Sequence, residues 1–251
     1  MLIRHDPRNE RACLLRQQLC ELLDPESLPA DLTLVLGGDG FLLRCLRQSA
    51  HDTTWLGVNC GRLGFMLNDP QPPEVLVESL TRARYVVTTV PRLRLKANRA
   101  EGKPIEDLAI NDVYLERQSG QTAHLRVSVD GTRVVDRLVC DGVVASTAMG
   151  STAYALAAGG VACHSSLQLI QLVAINPHAP RLPPVALRRD AVIEVEVLDG
   201  HRRPVRAVAD GHEHPAVSRV EIRDAESDIR LAFFEGHDPT ATMVRKLLHP
   251  V

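Results

Sequence analysis

The spacing of apolar residues changes near residue 85, and that change most restricts the folds open to this chain. Before it, helical and strand patterns alternate. Ala12, Leu15, Leu19, Leu22 and Leu23 recur at spacings of three and four, which predicts an amphipathic helix over residues 9–23. Leu32–Leu36 reads as a buried strand, Phe41–Gln48 as a helix and Trp55–Val58 as a second strand. Residues 72–83 read as another helix, with Val75, Leu76, Ser79 and Leu80 on one side. Such alternation builds a parallel sheet, whose ligands bind at the carboxyl ends of the strands. After residue 85 the period becomes two. Leu93, Leu95 and Ala97 alternate with Arg92, Arg94 and Lys96, and Leu125, Val127 and Val129 with His124, Arg126 and Ser128. Ile193, Val195 and Val197 alternate with Glu194 and Glu196. One charged face per strand predicts mostly antiparallel β structure with a solvated side. Asp130-Gly131 marks a hairpin turn. Asp238-Pro239 opens a last helix, Thr240–Leu247, with the acid as cap and the proline in the first turn.

Composition excludes several function classes. A net charge of −2 argues against a general nucleic-acid or membrane-surface binder, and 3% aromatics leave no platform for base stacking. No apolar run is long enough to span a bilayer, and Arg4 and Asp6 interrupt any signal-peptide core. The six cysteines are scattered without a C-x-x-C pair, so they read as reduced, mostly buried thiols of a cytoplasmic protein.

The segment Leu34-Val35-Leu36-Gly37-Gly38-Asp39-Gly40-Phe41 carries the first candidate site. Gly37, Gly38 and Gly40 permit positive φ and close approach of a ligand, and the helix start that follows suits phosphate. The single side chain in this turn is a carboxylate. An acid beside phosphate needs a task, such as orienting a hydroxyl nucleophile or holding a metal ion, which points to phosphoryl transfer to an alcohol. A plain tight turn is the other reading. The segment is neither a P-loop nor a Gly-x-Gly-x-x-Gly fingerprint. The loop Asn59–Phe65, after the second strand, lies at the same sheet edge.

Three further segments stand out. Asn111-Asp112 interrupts the apolar strand Leu108–Leu115. A buried amide and carboxylate need partners, which ribose hydroxyls, a base edge or backbone groups can supply. Asp141 to Tyr154 leads a strand into small residues and hydroxyls, where a ligand can lie against the backbone; a Ser/Thr-capped helix is the alternative. In His212-Glu213-His214 the two imidazoles share a strand face, as a metal pair would, although a surface turn after a strand is the plainer reading.

Taken together, Gly37-Gly38-Asp39-Gly40, the Asn59–Phe65 loop, Asn111-Asp112, and Asp141–Tyr154 with Gly159-Gly160 resemble the NAD kinase family, in family order. Arg117–Ala123, Arg203–Glu213 and Phe41 are similar to one bacterial branch. The resemblance implies a two-lobe architecture like that of NAD and diacylglycerol kinases: an α/β lobe over 1–85, a β-rich NAD-binding lobe over 86–236, and a C-terminal helix over 237–251 packing back on the first lobe. The implied site lies between the lobes. It implies phosphorylation of the 2′-hydroxyl of the adenosine ribose of NAD, with ATP or polyphosphate as donor and magnesium carried on the nucleotide. By family position Asp39 is the catalytic acid, with Gly40 beside it. Asn111 and Asp112 hold adenosine, Asp112 replacing the usual Glu. Asp141, Thr152, Ala153 and Tyr154 match adenine and nicotinamide contacts, Met149 and Ala157 occupy further NAD-binding positions, and His212 sits near the substrate. A homodimer or homotetramer is implied, without nucleic-acid or membrane partners. Ala148 and Met149 replace Pro and Thr or Ser of the family pattern, Ala157 replaces Ser, and Val139 stands where an Arg is often found. Those departures keep a non-catalytic NAD-binding homologue open, and the Gly-Gly-Asp-Gly turn keeps open a kinase of a lipid or sugar hydroxyl.

Overall fold

The computed structural model describes residues 2–24, 29–47, 53–62, 64–99 and 102–248. Gln48, the expected end of the second helix, and Leu63, in the loop after the second strand, lie outside the described residues. The chain forms two compact units, Met1–Val90 with Asp228–Val251, and Pro91–Ser227.

The first unit begins β1 (Leu2–His5), α1 (Glu10–Leu22), β2 (Leu32–Gly37), α2 (Asp39–Arg47), β3 (Thr54–Asn59), α3 (Pro73–Thr81) and β4 (Tyr85–Val90). In the second unit β5 (Leu93–Arg99), β6 (Ile105–Ala109), β7 (Asp112–Arg117), β8 (Ala123–Val129), β9 (Thr132–Cys140) and β10 (Gly142–Thr147) come first. A 3₁₀ turn (Met149–Thr152) and α4 (Tyr154–Ala157) precede β11 (Leu169–Ile175), β12 (Val185–Arg188), β13 (Ile193–Leu198), β14 (Val205–Ala209), β15 (His212–His214) and β16 (Val217–Asp224). The chain then re-enters the first unit with β17 (Ile229–Phe234) and α5 (Pro239–Leu248).

The first sheet has the order β1-β2-β3-β17-β4, parallel except for the β17–β4 pair. Strands β2 and β3 are buried along their whole length, as strands covered on both faces must be. Leu32, Leu34, Leu36, Leu56 and Val58 pack against Ala12 and Leu19 of α1 and Leu76 and Leu80 of α3. Each fully buried leucine contributes about 1.5–3 kcal/mol. The Asn9 side chain caps α1 by accepting from the Ala12 amide at 3.1 Å. Two predicted apolar positions face outward instead. Leu22 is 46% exposed because α1 ends there and the extended Leu23 packs in its place. Val75 is 44% exposed because the buried stripe of α3 runs through Leu76 and Leu80. On the opposite sheet face a Cβ at Gly57 would lie 2.1 Å from Leu67 and 3.5 Å from Leu42, so the bare backbone there admits both leucines. At the far end, Asp238 accepts from the Thr240 and Ala241 amides and starts α5.

The unit boundaries differ from the expected 86 and 236. Strands β4 and β17 belong to the first sheet. β17 is almost continuously buried, the pattern of an inner strand of a covered sheet rather than of a half-solvated hairpin.

The second unit packs two six-stranded antiparallel sheets, β12-β11-β10-β7-β14-β15 and β6-β5-β16-β13-β8-β9. Leu93, Leu95, Leu125, Val127, Ile193 and Val195 of one sheet share a core with Val113, Leu115, Val143, Ala145 and Leu172 of the other. The period-two reading therefore places the inner face correctly. His124 and Arg92 of the charged face are nonetheless buried, and Arg92 donates to the Ser227 carbonyl and hydroxyl. The β8–β9 hairpin turns at Asp130 (φ 49°) and Gly131 (φ 72°), the paired left-handed geometry that matches strand twist. The expected continuous strand Leu108–Leu115 is broken. Ile110 and Asn111 form a corner at which the chain leaves β6 in one sheet and enters β7 in the other.

Candidate active site

Asp39 and Gly40 are the first two residues of α2, not members of a separate turn. None of Gly37, Gly38 and Gly40 adopts a positive φ, so the expected use of their conformational freedom is not what the structure contains. Their contribution is bareness. A Cβ on Gly37 would press on the Phe41 ring at 3.0 Å, while Gly38 has nothing within 4 Å of that position. Backbone at the helix start is therefore uncovered, and the positive end of the helix dipole lies there. The Asp39 carboxylate is half-buried and held by main chain: Oδ2 accepts from the Phe65 amide at 2.7 Å and Oδ1 from the Met66 amide at 3.1 Å. The loop after β3 is fastened in turn. The Cys60 amide donates to the Gly37 carbonyl at 2.9 Å, and Asn68 bonds the Gly57 and Ala232 carbonyls and the Phe234 amide. Asp39 thus has a fixed orientation at the carboxyl end of β2.

In the second unit the β6–β7 corner wraps a carboxylate that the sequence reading does not single out. Asp210 Oδ2 accepts from the Ile110 amide at 2.6 Å, and Oδ1 accepts from the Asn111 and Asp112 amides at 3.0 and 3.3 Å. The Asp112 carboxyl is buried and accepts from the Tyr154 amide. Burial, then the charge of Asp210, pushes Asp112 up to about 7. Burial likewise pushes Asp210 up to about 6 against the pull of its three amides. Among the described residues the side-chain amide of half-buried Asn111 has no hydrogen-bond partner. Its carbonyl accepts from the Thr147 amide at 2.9 Å. A Cβ on Gly150 would lie 2.1 Å from that same carbonyl oxygen, so glycine alone lets the 3₁₀ turn close on the corner.

The hydroxyls of Ser146, Thr147 and Ser151 are engaged internally. Thr147 Oγ1 donates to the Ile110 carbonyl and accepts from the Gly150 amide, and Ser151 Oγ donates to the Ala148 carbonyl. Of these, Thr147 alone accepts from an amide of the turn as a cap does, while Ser146 and Ser151 donate to carbonyls. Met149, Thr152 and Tyr154 are half-buried, whereas Ala153 and Ala157 are exposed. The Tyr154 ring meets Tyr114 edge-on, with centroids 4.8 Å apart.

Asp141 is not brought to Asp112. It precedes Gly142, which pairs with Glu116, whereas Asp112 pairs with Ser146 at the other end of β10. Arg117 Nε donates to Asp141 Oδ1 at 2.6 Å and Asn176 Nδ2 to Oδ2 at 3.0 Å, and these bonds, the Asn176 one foremost, hold the carboxyl below its ordinary range. His212 and His214 lie on β15 and both meet Asp107, a partner absent from the sequence reading. All six cysteines are free; Cys45, Cys60 and Cys140 are buried, and Cys20 is exposed. Among the described residues no helix is long and apolar enough to cross a membrane.

A family model described as the ATP-NAD kinase C-terminal domain matches residues 110–232. The NAD kinase of Rhizorhabdus wittichii is 41% identical over 213 residues, covering 83% of this chain and 82% of that protein. The chain belongs to the NAD kinase family. The Brucella suis NAD kinase is 36% identical over 213 residues, 83% of this chain and 81% of its own. In fold, this NAD kinase family member is similar to yeast NADH kinase complexed with NADH, with a TM-score of 0.83 at 20% identity over 98% of this chain and 86% of that one. It is also similar in fold to an NAD kinase from Archaeoglobus fulgidus in complex with ATP, with a TM-score of 0.76 at 23% identity over 96% and 97%.

The acid pair of this NAD kinase family member makes a stability prediction. Folded Asp112 holds its proton up to about 7, against an ordinary 3.8. The protonated form therefore favours the fold. That contribution is complete below the unfolded value and is lost as pH rises through about 7. Between pH 6 and 8 the wild type should lose more unfolding free energy than Asp112→Asn, by an amount on the order of 1 kcal/mol. Urea melts of both proteins at the two pH values check it; parallel profiles would remove the shifted acid.

Proposed function

We propose that this chain transfers the γ-phosphoryl group of magnesium-bound ATP to the 2′-hydroxyl of the adenosine ribose of NAD, giving NADP. One observation carries the reading: a carboxylate, Asp39, is held in fixed orientation on bare glycine backbone at a helix start in a member of the NAD kinase family. The acceptor follows the bacterial relatives, which are named NAD kinases. The donor follows the Archaeoglobus relative, which is in complex with ATP.

The proposed chemistry needs little covalent work from the protein. Phosphoryl transfer passes through a loose transition state, so positioning and charge neutralisation dominate. Asp39 accepts a hydrogen bond from the ribose hydroxyl and takes the proton as the oxygen–phosphorus bond forms. The amides and dipole of the α2 start, with Gly38 and Gly40 uncovered, face the phosphates. The Asn111 carboxamide holds adenosine, on a corner kept in place by Asp112 and Asp210. Thr152, Ala153 and Tyr154 line the same subsite, and the protein works as a cytoplasmic homodimer or homotetramer.

Incubation of the purified chain with Mg-ATP and NAD tests the reading. Formation of NADP, read with an NADP-specific dehydrogenase, is expected; NAD binding without NADP would assign a non-catalytic role. Gly38→Ala adds a finer test. Open space surrounds the new methyl, so stability should stay within about 0.5 kcal/mol. A methyl where phosphate approaches should raise KM for ATP about tenfold, equivalent to about 1.4 kcal/mol of lost contact. An unchanged KM would place the phosphates elsewhere.

A further inference from the structure

The hairpin that carries Asp210 also carries a cluster with no place in the proposed chemistry. His212 and His214, two residues apart on β15, present their rings on one side, with centroids 4.5 Å apart. Both meet the same oxygen of Asp107 on β6: His212 Nδ1 lies 2.6 Å and His214 Nε2 2.7 Å from Asp107 Oδ2. The three ligand atoms lie within 4.8 Å of one another. We propose that Asp107, His212 and His214 form a binding site for a divalent transition cation of the zinc class.

Donor type and geometry support this. Two imidazoles and one carboxylate are the nitrogen and oxygen donors that zinc, cobalt(II) and nickel(II) favour over magnesium or calcium. With metal–ligand distances of about 2.0–2.2 Å, neighbouring donors of a tetrahedral centre stand about 3.3 Å apart. Opening the two contacts by roughly 0.7 Å therefore admits the ion. Asp107 is already oriented, because its other oxygen accepts from the Leu108 amide at 2.9 Å. Such an outer hydrogen bond sets the direction of a ligating carboxylate. The His214 and Asp107 side chains are 7% and 14% exposed and that of His212 is 47% exposed. Protein thus closes one side of the site and leaves the fourth position to water or a ligand atom.

The location gives the site a physical role. β6 and β15 are edge strands of the two different sheets of the second unit. Metal-free, the cluster clasps those edges through imidazole N–H groups donating to one carboxylate oxygen. Metal-bound, each ring coordinates through the nitrogen that had donated and carries its proton on the other nitrogen, so no proton need leave a neutral ring. The ion then cross-links two sheet edges about 105 residues apart in sequence.

The test uses the full-length, untagged chain stripped with EDTA, without nucleotide. Cobalt(II) titration should give the visible absorption of a tetrahedral centre at one equivalent, and zinc should displace it. His212→Ala changes an exposed side chain and should weaken cobalt binding at least about tenfold, and Asp107→Asn should do the same. Zinc should raise the melting temperature of the wild type and leave that of His212→Ala unmoved. Failure of the wild type to bind one equivalent, or wild-type affinity in both variants, would overturn the proposal. Because no nucleotide is present, that failure says nothing about NADP formation.

Discussion

Asp39→Asn is expected to lower turnover by about 10²–10⁴-fold while NAD affinity changes little, the size of a general-base contribution. That range corresponds to about 3–5 kcal/mol of transition-state free energy. The structure supplies a competing explanation to be separated. Asp39 also anchors the loop after β3 through the Phe65 and Met66 amides. Asparagine keeps one carbonyl acceptor but sets its NH₂ group against the other amide. Losing that one bond should cost about 1–2 kcal/mol of stability. If anchoring were the whole role, turnover measured well below the melting temperature would fall only a few-fold. If Asp39 is the base, turnover collapses in a protein that is still folded and still binds NAD. Calorimetric NAD binding, a urea melt and steady-state kinetics on one preparation distinguish the two outcomes.

Gly150→Ala should act in the opposite sense, on the fold before the chemistry. The new methyl would sit 2.1 Å from the Asn111 carbonyl oxygen, 2.3 Å from its carbon and 2.4 Å from its Cα. All three are backbone atoms and cannot swing aside. Gly150 is buried, and its amide is already bonded to Thr147 Oγ1. Overpacking costs about 1–3 kcal/mol. Displacing Asn111 also strains its bond from the Thr147 amide and the amides gathered on Asp210, adding about 1 kcal/mol for each bond lost. A total loss of about 3–4 kcal/mol in urea-derived stability is expected, together with weakened NAD binding. A melt indistinguishable from wild type would mean that the 3₁₀ turn and the β6–β7 corner are less tightly joined than the structure has them.

Periodicity carried most of the architecture because it reports burial directly. Leu34 and Leu36, or Val195 and Ile193, can be placed on a face from neighbours a few residues away. Membership of a sheet is a long-range property, which is why β17 reads as one more strand of the β-rich segment yet pairs with β3 and β4. Asp39 stood out as a candidate because an acid among glycines after an apolar strand needs a reason. The glycines' conformation was not legible, since composition reports what backbone is permitted rather than what it adopts. Asp210 escaped for a different cause. Its task is to gather amides 98 to 100 residues away, and locally Asp210-Gly211, with φ of 44° and 83°, is an ordinary hairpin turn. Asp107 escaped likewise, because β6 and β15 meet only through the packing of two sheets.

The claim beneath the whole account is that Asp39 is the group that takes the ribose proton. A crystal structure of the chain with NAD measures this most directly, through the separation between the Asp39 carboxylate and the ribose 2′-oxygen. The account predicts a carboxylate oxygen at about 2.6–3.2 Å from that oxygen, with the Phe65 and Met66 amide bonds still in place. A bound NAD whose 2′-hydroxyl lies beyond hydrogen-bonding reach of Asp39, directly or through one water, would contradict it.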